Sequence, residues 1–288
     1  MYHCNVNDTP RARPGRPESR DVTELRALRT AHPELAEAVD LQIELLEIYR
    51  RVQGRIPAPW VDVPPAGLAE CSRIGRALVP FEALPIDVTD LRLLVRQTAD
   101  LLRRFGALES DDYDAIERLG RGEALLEAAA AWYRALAERP IQSEGVADAG
   151  LAQVLSLALR PFLSRCAEFV QQTVDLAHWP HGHCPSCGGD PELAVTTTAS
   201  GRFLICGRCG LQWPFPEGRC PFCANTDPAR STAFATPDGR YRVDACEQCH
   251  RYLKGYDARR ASRPVLPLVD AIATLPLDAA AIQRGYLG

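Results

Sequence analysis

HCPSCGGDP (183–191), LICGRCGLQWPF (204–215), GRCPFCAN (218–225) and DACEQCHRYLKGY (244–256) hold eight of the chain's eleven cysteines, as four C-x-x-C pairs within 66 residues. Cys4, Cys71 and Cys166 lie scattered elsewhere. A secreted disulfide scaffold spreads its cysteines through a small chain at varied spacings, whereas paired cysteines in a reducing compartment serve as thiolate ligands. Each two-residue spacer lets a tight turn aim both sulfurs at one ion. Two such turns complete a tetrahedral shell with metal–sulfur distances of about 2.3 Å. The window from 184 to 249 therefore reads as two four-cysteine metal sites in tandem rubredoxin-like or zinc-ribbon modules.

The spacers decide which pairs share an ion. Eighteen residues separate the first two pairs, 22 the last two, and ten the second from the third. Residues 192–205 and 231–245 fill the long spacers. They are rich in Thr, Val, Phe and Tyr, with turn residues at Ala199-Ser200-Gly201 and Pro237-Asp238-Gly239, and read as β-hairpins. A hairpin returns the chain to its start, which favours sequential pairing over an interleaved cross-brace. Cys184, Cys187, Cys206 and Cys209 are assigned to one metal; Cys220, Cys223, Cys246 and Cys249 to the other.

Gly188 and Gly210 follow their pairs, where the knuckle needs positive φ and backbone amides facing sulfur. Ala224 and His250 stand there in the second module, so its site is expected to be looser. Four sulfurs accept zinc or a single iron, and the hairpin spacing suits a mononuclear ion better than a [4Fe–4S] cluster. His178, His181, His183 and His250 crowd the cysteines, but eight sulfurs complete both shells. These histidines read as surface or supporting groups able to hydrogen-bond a thiolate. A thioredoxin-type role for a C-x-x-C needs a βαβ setting that this region lacks.

Upstream, to about residue 177, the pattern is helical. Leu91, Leu94, Val95, Thr98, Leu101, Leu102 and Phe105 recur at three- and four-residue steps, with Asp87 or Thr89 as cap and Gly106 as terminator. Between Pro33 and Gln53, Leu41, Leu45, Ile48 and Val52 form one stripe and Val39, Ile43 and Leu46 a second, which predicts a central helix buried on two sides. Further helices are expected near 109–119, 123–138 and 149–176. The last has Leu151, Leu155, Phe162, Cys166, Phe169 and Thr173 on one face and a kink at Pro161. Cys166 there is a small buried hydrophobe. Gly54 to Gly67, with four prolines, reads as an extended connector, and Pro267 to Tyr286 as a helical tail whose last piece Asp278 could cap.

The fold class is thus α+β. Residues 1–20 are expected to form a disordered tail, 21–177 a helical bundle domain, 178–216 and 217–257 the two metal ribbons, and 258–288 a short C-terminal helical tail. At 288 residues, 46% hydrophobic and 24% charged, the chain reads as soluble and globular. The arginines among residues 1–20 precede no apolar stretch of secretory type, and no run is long enough to span a bilayer, so a cytoplasmic location is expected. A net charge of −4 gives no global reason to expect nucleic acid. Lys254 is the one lysine, which codon bias explains. Neither a phosphate-binding loop nor a G-x-S-x-G elbow is present. Asp111, Asp112 and Asp114 suit the charged first turn of a helix, and nothing marks a catalytic site.

The four quoted runs, in their order, with Trp213 after the second pair and Tyr-Leu-Lys at 252–254, resemble the formate dehydrogenase accessory protein family, FdhE. The resemblance is specific over residues 178–257. It implies a cytoplasmic protein, not an enzyme, that contacts the catalytic subunit of a respiratory formate dehydrogenase and supports its assembly or activation before export. It also implies iron in a rubredoxin-like setting at the eight cysteines, with zinc as the other candidate. A rubredoxin-like electron carrier acting on the dehydrogenase is the alternative. A nucleic-acid-binding ribbon is a third reading, disfavoured because Arg202, Arg208, Arg219, Arg240 and Arg242 are interspersed with acids. Trp213, Phe215 and Phe222 are candidates either for a partner face or for packing between the ribbons.

Overall fold

A computed structural model describes residues 19–59, 65–137, 149–198 and 201–288. Cys4, the tail to residue 18, the connector's residues 60–64 and the first two residues of the Ala199-Ser200-Gly201 tip lie outside them. Among the described residues eight α-helices come first: α1 (Arg20–Ala31), α2 (Ala36–Gln53), α3 (Pro65–Ile74), α4 (Val88–Arg104), α5 (Ser110–Arg121), α6 (Leu125–Ala137), α7 (Ala149–Ala158) and α8 (Arg160–Thr173). Strands β1 (Pro191–Thr196), β2 (Arg202–Cys206), β3 (Gln212–Pro214), β4 (Ser231–Ala235), β5 (Tyr241–Cys246) and β6 (Tyr252–Asp257) follow, then α9 (Pro267–Ala273) and α10 (Leu275–Gln283). The class is α+β, as read from the sequence.

Local chemistry explains the helix limits. Asp87 caps α4 by accepting from the amides of Thr89 and Asp90, and Gly106 follows its end at φ 65°. The two stripes of α2 separate as expected. Leu45, Ile48 and Val52 enter the main core, while Val39 joins Leu25 of α1 and Val269 and Ile272 of α9 in a second cluster.

The 149–176 stretch is two helices, not one kinked helix. Pro161 lacks an amide, so the carbonyl of Leu157, four residues earlier, receives no helical bond from it. The Tyr49 hydroxyl donates to that carbonyl instead, at 2.9 Å. Cys166 is buried among apolar neighbours, and burial pushes its thiol up to about 12. Two further expectations fail locally. Pro65 starts α3 inside the stretch read as a connector, because proline is well suited to a helix's first turn. Asp278 sits within α10 rather than capping it, and its carboxylate accepts from the Tyr252 hydroxyl (2.7 Å) and Lys254 Nζ (2.9 Å).

All six strands form one sheet in the order β3-β2-β1-β6-β5-β4. Each half is an antiparallel ribbon of three strands. The halves join through a parallel β1–β6 pairing, in which Leu193 sits opposite Lys254 and Thr196 opposite Asp257. Strands β3 and β6 were not read from the sequence. Alternation along the strands gives the sheet two covered faces. Ala194, Leu204 and Leu253 join the main helical core, whereas Leu193, Val195, Ile205, Tyr241 and Tyr256 pack with Ala273 and Leu277 of the C-terminal helices. Asp270, fully buried, ties that layer down by accepting from the Tyr241 hydroxyl at 2.6 Å and from Arg263 at 2.7 Å.

Candidate metal centres

All four C-x-x-C pairs adopt one turn. In the first, the amide of Gly188 donates to the carbonyl of Cys184 (2.9 Å) and the amide of Cys184 to the carbonyl of Gly189 (2.8 Å). The same two bonds, at the same offsets, link Cys206 with Gly210 and Leu211, Cys220 with Ala224 and Asn225, and Cys246 with His250 and Arg251. Closing this turn requires a left-handed residue after the second cysteine. Gly188, Gly210, Ala224 and His250 have φ of 71°, 77°, 60° and 53°. Glycine adopts this freely; alanine and histidine do so against steric resistance.

The turns meet in sequential order. Cys184, Cys187, Cys206 and Cys209 form one cluster and Cys220, Cys223, Cys246 and Cys249 the other, the sulfurs of each lying within 4.8 Å of one another. Cys184–Cys209 and Cys187–Cys206 sulfur separations are both 3.5 Å; Cys220–Cys249 and Cys223–Cys246 are 3.8 and 3.6 Å. A disulfide would bring sulfurs to about 2.05 Å. A tetrahedron of metal–sulfur bonds of about 2.3 Å has edges of about 3.8 Å. The donor sets therefore fit one mononuclear ion each, zinc or iron.

Burial separates the two clusters. The four sulfur residues of the first are between 0% and 3% exposed and belong to the main helical core. Its leading turn is bound to the segment after α3 by backbone bonds from the amides of Leu78 and Val79 to the carbonyls of Pro185 and Ser186. The Tyr133 hydroxyl of α6 fixes the same segment by donating to the carbonyl of Val79 at 2.7 Å. From α8, Arg160 donates to the carbonyl of Gly207 at 2.6 Å, inside the second turn. In the second cluster only Cys246 is fully buried, and Cys220, Cys223 and Cys249 remain partly exposed.

Burial and hydrogen bonding act on the thiols in opposite directions. In the first cluster desolvation holds the Cys184 thiol well above its ordinary value. For Cys206 burial acts upward too, but hydrogen bonds from Cys184, Cys187 and Cys209 carry it well below. Burial also acts upward on Cys246, and hydrogen bonds from the Cys249 and Gln248 amides outweigh it, bringing that thiol down to about 7.

The histidines support the backbone. His181 Nε2 lies 2.6 Å from the Ser72 carbonyl and His183 Nε2 2.8 Å from that of Gly75, and their rings stack at 5.0 Å against Trp179. His178 is exposed. Trp213 and Phe215 are buried in the main core and do not form an exposed partner face. Phe222, half-buried, lies under the Arg251 guanidinium at 3.7 Å.

Sequence reasoning missed the contact that joins the two clusters. A Cβ on Gly182 would stand 2.0 Å from the carbonyl oxygen of Pro221, so the chain entering the first turn touches the third. The only sequence signal was a glycine between two histidines.

No family model matches the chain. A protein FdhE homolog of Aquifex aeolicus is 28% identical over 148 residues, 50% of this chain and 51% of that protein. One from Haemophilus ducreyi is 30% identical over 107 residues, 36% and 35% of the two. The matched part thus spans about half the length of the first relative and about a third of the second. The crystal structure of the FdhE protein from Pseudomonas aeruginosa shares the fold, with a TM-score of 0.59 and 22% identity over 94% of both chains. Fold and clusters together define a helical protein carrying paired tetracysteine ribbons on one sheet. Within that class, the chain is similar to FdhE homologues over part of its length and shares its fold with the FdhE crystal structure.

Proposed function

We propose that this chain is an accessory factor for a respiratory formate dehydrogenase: it binds the catalytic subunit and supports its assembly or activation before export, without catalysing a reaction itself. The single observation that carries the reading is the pair of four-sulfur clusters embedded in an FdhE-like fold, one inside the helical core and one opening to the surface. Each cluster holds its own mononuclear ion, iron being favoured by the family resemblance, and the protein works in the cytoplasm. Among the described residues no helix is long and apolar enough to cross a membrane. The ions act as folding centres, because small ribbons of this size lack the apolar core to fold unaided. The open second cluster then offers the partner a surface whose shape depends on metal.

A pull-down of tagged protein from its native host, with metal quantified in each eluate, tests this. The catalytic subunit is expected with wild type and absent with Cys220→Ser; its absence from the wild-type eluate sinks the reading. The partial exposure of Cys220, Cys223 and Cys249 also supports an electron-transfer role, since a rubredoxin-like iron must lie near the surface to exchange electrons with the dehydrogenase. Zinc in both sites of the natively produced protein would eliminate that second reading.

A further inference from the structure

The helical domain covers the sheet over β1 and β2 but leaves a recess of about 180 Å³ on the β4–β5 half. Its floor carries Arg242 and Asp244, and Cys220 and Cys246 of the second cluster open into it. Arg202, Arg219 and Arg251 complete the wall. In the sequence these arginines are dispersed among acids; the sheet gathers them.

We propose that this recess is a carboxylate-binding site, in which the guanidinium groups of Arg202, Arg219, Arg242 and Arg251 receive one anionic group beside the second cluster.

Charge supports it. Asp244 lies 3.1 Å from Arg242 and 4.0 Å from Arg202, and Asp190 lies 3.0 Å from Arg251. Three of the four guanidinium groups thus pair with two carboxylates, and Glu217 and the Cys220 sulfur add further negative charge near Arg202. Arg219 makes no ion pair among the described residues, and its guanidinium leans on Phe215. Arg202 is 6% exposed and donates to the carbonyls of Pro216 and Arg219, but its Nε has no partner among the described residues. That Nε is enclosed by protein, so an anion in the recess is met by terminal guanidinium nitrogens, whose planar arrangement matches a carboxylate in bidentate fashion. Arg242 is directed across the sheet at Gly255, where a Cβ would meet its Cγ at 2.9 Å.

Size and charge choose the ligand. The volume is below the roughly 300–1,000 Å³ of pockets for drug-sized molecules, so it suits a single head group rather than a nucleotide. A carboxylate, carrying one charge, meets less repulsion from Asp244 and the cluster's thiolates than a dianionic phosphate would. The carboxylate comes either from an acidic side chain of a bound polypeptide or from a free small acid. The inference does not depend on which protein is the partner. The competing role for these arginines is to offset the negative charge of four thiolates around a divalent ion.

The test uses the full metal-loaded chain and follows arginine Nε–Hε resonances at constant ionic strength. The probes are a capped hexapeptide with two adjacent glutamates, its glutamine counterpart, and succinate. Saturable shifts at Arg202 and Arg219 with the glutamate peptide but not its counterpart are expected, weakened about tenfold by Arg219→Gln or Arg242→Gln with metal content unchanged. Tighter binding of the peptide than of succinate assigns an acidic side chain; the reverse assigns a free acid. Equal response to glutamate and glutamine peptides with no response to succinate overturns the proposal. So does loss of metal in both variants without any ligand response in wild type, which would assign the arginines to the thiolates alone.

Discussion

The two clusters repeat one turn four times and one ribbon twice, yet they live in different surroundings. The first is enclosed by α6, α8 and the segment after α3, so that its sulfurs are part of the same core as the helices. The second rests on the exposed end of the sheet, where β4 has four of its five residues exposed. The same turn hydrogen bonding thus occurs in two settings: one cluster lies within the core, and the other opens to the surface. That difference comes from what packs over each ribbon, since the hydrogen bonds inside the turns are the same.

The largest predicted effect comes from removing one ligand on each side. Cys187→Ser should abolish the cooperative thermal transition of the whole chain, because a structural four-sulfur ion contributes about 10 kcal/mol or more against a total stability of about 5–15 kcal/mol. Cys223→Ser should release about half of the bound metal while leaving the far-ultraviolet helical signal intact. Equal collapse in both variants, followed by circular dichroism and metal analysis, would break the comparison.

Gly182→Ala should come next. Its new methyl meets backbone rather than a flexible side-chain end, so the contact with Pro221 has to open at a cost of about 1–3 kcal/mol. Denaturant titration should show that loss, with faster removal of the second cluster's metal by a chelator. Unchanged metal retention would mean that the clusters are mechanically independent.

The smallest effects sit at the turn ends. Ala224→Gly and His250→Gly should each stabilise the second ribbon by about 1 kcal/mol by relieving a left-handed conformation. Gly210→Ala should weaken the first by a similar amount, because nothing lies within 4 Å of the added methyl and only the backbone resists. Chelator competition measures all three; the same sign at Ala224 and Gly210 would refute the strain argument.

Much of this was legible beforehand because it depends on short-range periodicity. The two stripes of α2 point to two different cores, and hairpin-length spacers brought the cysteine pairs together in order. Legibility failed where a partner is distant in sequence. Strand β3 has three residues, too few to carry an alternation, and β6 buries charged Lys254 and Asp257 on opposite faces, so its polarity does not alternate with its two sides. Pro161 read as a kink because the carbonyl it frees finds its donor on Tyr49, 108 residues away. The histidines beside Cys184 read as surface or supporting groups able to hydrogen-bond a thiolate, and the carbonyls of Ser72 and Gly75 that they meet belong to a helix end the sequence did not associate with them.

By itself, then, the sequence determined α2, α4, α5, α6 and the helical C-terminal segment, the four cysteine turns and their pairing in order, since each follows from spacing within a few tens of residues. Only the tertiary structure decided that β1 and β6 join the ribbons into one sheet, that one cluster is enclosed and the other open, and that arginines dispersed along the chain meet in one recess. The physical reason is common to all three. Burial and charge proximity depend on which surfaces pack against one another, and that choice is made by contacts between segments with no fixed spacing in the chain.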